Sequence, residues 1–224
     1  MEGVNMALDG VILDIDGTLV LSNDAHAQSW VEAFANHGYE VPFDKVRPLM
    51  GMGGDQLVPQ LFPDLNEEEE PGKTIASEHK ELVLNKYRPE LKPTDGARAL
   101  VQKLLDNGLH VVIATSASPK ELSVMLEVAK VDDLLHEATT SSDAENSKPA
   151  PDIVEAALKK AQMAPDRVVM LADTPYDIEA ASKAGVDVIA VRSGGFSDED
   201  LAGAIAIYDH PADLLQHYDS SPLA

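Results

Sequence analysis

The sequence contains no cysteine, which excludes disulfides, thiolate metal sites and cysteine nucleophiles and leaves the redox compartment open. Positive charge is also scarce: 17 Lys plus Arg stand against 39 Asp plus Glu, a formal charge of −22. A surface of that sign repels nucleic-acid backbones and anionic lipids, so no nucleic-acid partner is expected. No apolar run approaches the roughly 20 residues of a membrane span. Residues 1–9 have neither a basic start nor a long apolar stretch. A cytoplasmic protein with no membrane association is expected, as a monomer or weak homo-oligomer. What remains is ordinary globular material, 44% hydrophobic and 25% charged. A length of 224 residues suits one domain with an insert, or two unequal domains.

Short apolar runs occur at residues 10–14, 110–115, 167–172 and 186–191. Runs apolar at successive positions suit strands buried on both faces, as in a parallel sheet. Helical patterns lie between them at residues 97–107, 119–130 (behind a Ser118 cap), 151–162 and 177–184. Strand and helix alternating in this way predict an α/β fold, a doubly wound parallel sheet of Rossmann type with right-handed crossovers. Residues 20–93 break the alternation. Helices are expected at 23–36, 43–50, 55–61 and 74–87, with no convincing strand, and residues 92–96 read as the return linker. The expected organisation is therefore an α/β core of residues 1–19 and 94–224 with a small helical cap at 20–93.

Open α/β sheets bind ligands at the carboxyl ends of their strands. Asp14 and Asp16 follow the first apolar run, Thr115 and Ser116 the second, and Asp173 and Asp177 the run ending at residue 172, while Lys148 precedes a Pro-Ala-Pro segment. Carboxylates gathered in one crevice repel by about 4 kcal/mol per close pair at ~4 Å and an effective dielectric near 20. Lys148 supplies one compensating charge. A divalent ion with oxygen ligands fits the rest, and Mg²⁺ is favoured over Zn²⁺ because these motifs hold neither Cys nor His. Magnesium is usually completed by substrate phosphate oxygens, which points to phosphoryl chemistry.

Asp14-Ile-Asp16-Gly17-Thr18, Ser116 behind an apolar strand, Lys148 in Lys-Pro-Ala-Pro-Asp, and Asp173-Thr-Pro-Tyr-Asp177 together resemble the four motifs of the haloacid dehalogenase superfamily. They stand in order and span nearly the whole chain. The resemblance implies that Asp14 is the nucleophile, forming an aspartyl phosphate, and that Asp16 is the general acid and base, its main-chain carbonyl also binding the metal. It implies backbone N–H groups of Gly17 and Thr18 near the phosphate and a hydroxyl from Ser116, for which Thr115 competes. Lys148 would neutralise charge, Asp173 would ligate Mg²⁺, and Asp177 would orient Lys148 or a metal-bound water. An acidic residue at position 16 argues for phosphate rather than halide as the leaving chemistry.

The insert resembles the cap of the beta-phosphoglucomutase-like and phosphoglycolate-phosphatase-like branch. His26 matches a residue that couples cap closure to catalysis, or it is a surface histidine. Arg47, Gly51, Gly53 and Gly54 match a substrate-specificity loop, and the glycines also suit a plain turn. Trp30 is expected in the cap core, and the histidines other than His26 are read as structural. The implied activity is a Mg²⁺-dependent phosphatase acting on a small phosphorylated metabolite. The alternative is a phosphosugar mutase using the same aspartyl phosphate. A binding module without catalysis would require a lost nucleophile or metal ligand, and neither position is altered.

Overall fold

A computed structural model describes residues 8–224; residues 1–7, most of the amino-terminal stretch without a basic start or a long apolar run, lie outside the described residues. The chain runs β1 (Gly10–Leu13), β2 (Val20–Leu21), α1 (Asn23–Asn36), α2 (Phe43–Val46), α3 (Gly54–Leu61), α4 (Gly72–Leu82), β3 (Lys92–Pro93) and α5 (Ala97–Asp106). It continues through β4 (His110–Ala114), α6 (Pro119–Ala129), β5 (Ala138–Thr139), α7 (Asp152–Ala161), β6 (Val168–Ala172), α8 (Pro175–Lys183), β7 (Asp187–Val191), β8 (Ala206–Tyr208) and α9 (Pro211–Gln216). Among the described residues no helix is long and apolar enough to cross a membrane.

Six strands form one parallel sheet in the order β5-β4-β1-β6-β7-β8. The unbroken apolar runs follow from that position. Val11 and Leu13 of β1 join one buried cluster with Val111, Ile113, Val169 and Leu171, while Ile12 joins another with Val112, Val168 and Met170. Alternate side chains thus fill opposite layers, and neither face of these strands meets water. Each fully buried Ile, Leu or Val contributes roughly 1.5–3 kcal/mol. After β1 the chain adds strands on one side (β4, β5) and then returns to the other (β6, β7, β8). The switch point lies at β1, and a crevice opens outside the carboxyl ends of β4, β1 and β6.

The helices between β2 and β3 bury a third apolar cluster, including Trp30, Phe34, Leu57, Val58 and Ile75. The two passages of the chain between this helical body and the sheet pair as an antiparallel ladder, Val20 opposite Pro93 and Leu21 opposite Lys92. Sequence reading expects only a linker there, because two residues per strand are too few for a periodic pattern. Two further strands are unexpected: β5 and β8 are also very short. The helix expected at 43–50 tightens at Arg47 into a 3₁₀ turn, where Pro48 has no N–H to continue an α-helix. The helix expected from residue 177 starts earlier, at Pro175, because Thr174 and Asp177 form a reciprocal capping box.

Candidate active site

Asp14 leaves the end of β1 with its backbone N–H bonded to Leu171 O (3.0 Å), which fixes its carboxylate at the mouth of the sheet. Lys148 Nζ donates to Asp14 Oδ1 at 2.6 Å and to Ala114 O at 3.2 Å, and it pairs with Asp177 Oδ1 at 2.6 Å. Asp173 follows β6. Its Oδ2 accepts from Asn23 Nδ2 at 2.8 Å, and its Oδ1 lies 3.1 Å from Thr18 Oγ1. Carboxylate oxygens of Asp14, Asp173 and Asp177 all lie within 4.8 Å of one another, and all three residues are buried. The carboxylates of residues 14 and 173, 159 positions apart in sequence, therefore meet.

The backbone at Gly17 permits this approach. Gly17 has φ +77°, and a Cβ there would stand 2.0 Å from Asp173 Oδ2. Only glycine adopts that conformation cheaply and leaves room for the carboxylate. Its N–H, however, donates to Val20 O at 2.7 Å, which corrects the expectation that it faces a phosphate. Gly17 and Thr18 lie beside the carboxylates and not on the cavity wall.

Three buried carboxylates share one ammonium, and the proton affinities show the imbalance. Burial pushes Asp14 up to about 7; Lys148 opposes that shift, and Asp177 and Asp16 add to it. Asp173 is driven well above its ordinary value by burial and then by Asp14 and Asp177. Burial works against the charge on Lys148, but the two carboxylates beside it hold its pKa above the usual lysine value. At 4.8 Å and an effective dielectric near 20, each carboxylate pair costs about 3.5 kcal/mol when ionised. The donor set is hard oxygen throughout, as Mg²⁺ requires, and a dication is the charge the cluster lacks.

Asp16 turns away from this cluster. Its Oδ1 lies 2.5 Å from Ser22 Oγ, which donates to it, and 3.1 Å from His26 Nε2. Burial works to raise Asp16, yet His26 and Ser22 outweigh it and hold the carboxyl below its usual range. His26, also opposed by burial, is raised by Asp16 and by Glu121. Its Nδ1 lies 3.3 Å from His79 Nε2, and His79 stacks on Trp30 at 4.0 Å with an interplanar angle of 10°. Burial and then His26 push His79 well below the ordinary histidine value, so it is neutral.

These groups line a cavity of about 110 Å³ between the sheet and the helical insert. Asp14, Asp16, Lys148, Thr115 and Ser116 line it from the sheet; His26, Trp30, Gly51, Gly53 and Gly54 line it from the insert. Ser116 Oγ is buried without a partner, whereas Thr115 Oγ1 accepts from Ala117 N at 3.1 Å. The free hydroxyl is therefore that of Ser116. Gly51 has φ +106°, and a Cβ there would meet Thr174 Oγ1 at 2.6 Å, so the glycine loop rests directly on the sheet side.

Two expectations need correction. Arg47 does not line the cavity. It donates to Asp24 at 2.6 Å and to Gly194 O at 2.5 Å, bridging the insert and the sheet from outside. His79, read as structural, lines the cavity and touches His26. Asn23, Lys80 and Glu121 also line it, as does Glu67, although the acidic run 67–70 reads in the sequence as a solvated loop or helix start. Their only signal was position: Asn23 and His26 fall one turn apart on α1, and His79 lies on the helix packed against it.

A family model described as "Haloacid dehalogenase-like hydrolase" matches residues 11–191. A phosphoglycolate phosphatase of Rhodospirillum rubrum is 28% identical over 214 residues, covering 91% of this chain and 88% of that protein. The Arabidopsis thaliana chloroplastic protein named SUPPRESSOR OF QUENCHING 1 is 32% identical over 189 residues; the match covers 83% of this chain but only 18% of that much longer protein. A solved beta-phosphoglucomutase from Clostridium difficile superposes with a TM-score of 0.82, covering 96% of this chain and 97% of that one, at 18% identity. That last likeness is one of fold.

Proposed function

Because the chain belongs to the haloacid dehalogenase-like hydrolase family, we propose that it is a Mg²⁺-dependent phosphatase that hydrolyses a small phosphorylated metabolite through an aspartyl phosphate on Asp14. The observation that carries this reading is the meeting of Asp14, Asp173 and Asp177, with Lys148 paired to Asp14 and Asp177, beside a cavity that Asp14 and Lys148 line.

Asp14 and Asp173 would hold the metal, with the main-chain carbonyl of Asp16. When bound, Mg²⁺ supplies positive charge to the phosphoryl oxygens and to the carboxylates. The remaining work falls to side chains. Lys148 keeps a fixed ammonium 2.6 Å from Asp14, so that a carboxylate can approach an anionic ester. Asp14 attacks phosphorus, and the ester oxygen leaves with a proton from Asp16. Asp16 then takes a proton from the water that hydrolyses the aspartyl phosphate. That cycle requires Asp16 to change protonation state, and the His26 ring at 3.1 Å is placed to trade a proton with it. Ser116 donates its free hydroxyl to a phosphoryl oxygen. Asp177 orients Lys148.

Residues 20–93 act as a cap in this reading. With the glycine loop seated on Thr174, they exclude water and place His26 against Asp16. The absence of a basic residue from the cavity wall of that loop favours hydrolysis over a mutase, which must hold a phosphosugar in two orientations. Small phosphorylated metabolites in the cytoplasm are the fitting substrates, without nucleic-acid partners.

Purified protein with Mg²⁺ is to be assayed for free phosphate against a panel of phosphate esters, beside an assay for interconversion of glucose 1- and 6-phosphate with a bisphosphate activator. Phosphate release that stops in EDTA and returns with Mg²⁺ is expected. Isomer interconversion without phosphate release would overturn the phosphatase in favour of the mutase.

A further inference from the structure

The cavity charges do not balance once the floor is accounted for. Of the lining residues, Asp14 pairs with Lys148, which Asp177 shares, and Asp16 pairs with His26. The charged residue types left over on the wall are Glu67, Glu121 and Lys80, two acidic side chains and one basic. Glu121 Oε2 is committed, accepting from Ser118 N at 2.9 Å and from its hydroxyl at 2.6 Å. Glu67 is different. Its carboxylate lies against Gly54 of the cap loop, where a Cβ would meet Oε1 at 1.8 Å, and that oxygen is buried with no hydrogen-bond partner. His79, 5% exposed, is the second such group: Nε2 faces His26, and Nδ1 has no partner. Lys80 makes no ion pair among the described residues. Arg47, in the turn that precedes the glycine loop, is held outside by Asp24 and Gly194.

We infer that this wall selects phosphate esters whose alcohol presents hydrogen-bond donors and carries no second anionic group, with Glu67 as a specificity-determining residue. Glu67 lines the cavity, and a carboxyl group there accepts a hydrogen bond that a hydroxyl or amino group of the substrate supplies. A carboxylate or second phosphate on the leaving group would instead meet a wall with two acidic side chains, with Lys80 alone to receive it. The discrimination is that of a site built to hydrogen-bond its substrate, which leaves its own polar groups unpaired with the wrong one. The inference rests on the phosphatase reading above and names the kind of leaving group.

The test compares sn-glycerol 3-phosphate with 3-phosphoglycerate, esters of equal length that differ in a CH₂OH against a carboxylate. Phosphate release by the full chain with Mg²⁺ gives kcat/KM for each, and p-nitrophenyl phosphate serves as a control for hydrolysis itself. Wild type is expected to favour the glycerol ester by about tenfold or more. Glu67→Gln should shrink that ratio by roughly threefold or more, and Lys80→Met should widen it, with circular dichroism confirming folded variants. A wild-type ratio at or below one overturns the inference, as does an unchanged ratio in folded Glu67→Gln. If wild type turns over only p-nitrophenyl phosphate, the same order is read from the two esters as competitive inhibitors. No phosphate released from any ester, the control included, would instead remove the hydrolase reading itself.

Discussion

Lys148→Met is the sharpest perturbation of the site. The lysine is 1% exposed, and its ammonium stands 2.6 Å from both Asp14 Oδ1 and Asp177 Oδ1. Methionine keeps most of the stem's volume but removes the charge, leaving two buried carboxylates with no cation between them. Breaking a buried pair in this way costs about 3–5 kcal/mol, because the partner is left uncompensated. For a chain of this size that is a fall in Tm of roughly 6–20 °C. The assay is thermal unfolding followed by circular dichroism in EDTA near pH 7.5. Adding Asp177→Asn to Lys148→Met should recover part of the loss, since one of the stranded charges goes with it. Saturating Mg²⁺ should also recover stability, but not turnover. A drop of less than about 2 °C in EDTA, or no recovery in the double variant, would refute the electrostatic reasoning.

Asp14→Asn should abolish turnover while leaving a folded protein, measured by phosphate release and circular dichroism; retained activity would remove Asp14 as nucleophile. In EDTA, stability should fall as pH rises. Asp14, at about 7 when folded against an ordinary value of 3.8, holds a proton in the folded chain that the unfolded chain has lost. The contribution is complete below the ordinary value and disappears as pH climbs through about 7, with a slope approaching 1.4 kcal/mol per pH unit. Urea unfolding across that range measures it; a flat profile would contradict the raised pKa, and Mg²⁺ should flatten it. His26→Ala should lower kcat by about a hundredfold with Mg²⁺ affinity unchanged, since it touches Asp16 and not the carboxylate cluster. Gly51→Val should reduce turnover at constant Mg²⁺ affinity, because φ +106° and the contact with Thr174 lift the loop off the sheet.

The parts of the fold legible in the sequence were those with long, one-sided physical demands. Strands such as Val168–Ala172 are buried at every residue and so read as continuous apolar runs. Ser118 announced its helix because a hydroxyl before Pro119, with Glu121 three residues on, satisfies two end groups at once. The same logic at Thr174 and Asp177 is masked in the sequence, because Asp177 also fits the motif that starts at Asp173. The edge strands β5 and β8 were invisible because pairing there depends on a neighbour distant in sequence and not on a local pattern. The floor of the site was legible because Asp14, Lys148, Asp173 and Asp177 stand in motifs that, taken in order, resemble those of a known family; the wall was not. Arg47 and His79 exchanged their expected places for reasons that arise only in three dimensions. Asp24 and a backbone carbonyl pull Arg47 outward, while Trp30 and His26 hold His79 inward.

Titration of the metal-free protein with Mg²⁺ by calorimetry, in wild type and in Asp173→Asn, bears most directly on the carboxylate cluster. One Mg²⁺ per wild-type chain is expected, with affinity in Asp173→Asn reduced at least about tenfold. Equal binding by the two proteins, or no binding by wild type at millimolar Mg²⁺, would contradict a dication held by Asp14 and Asp173.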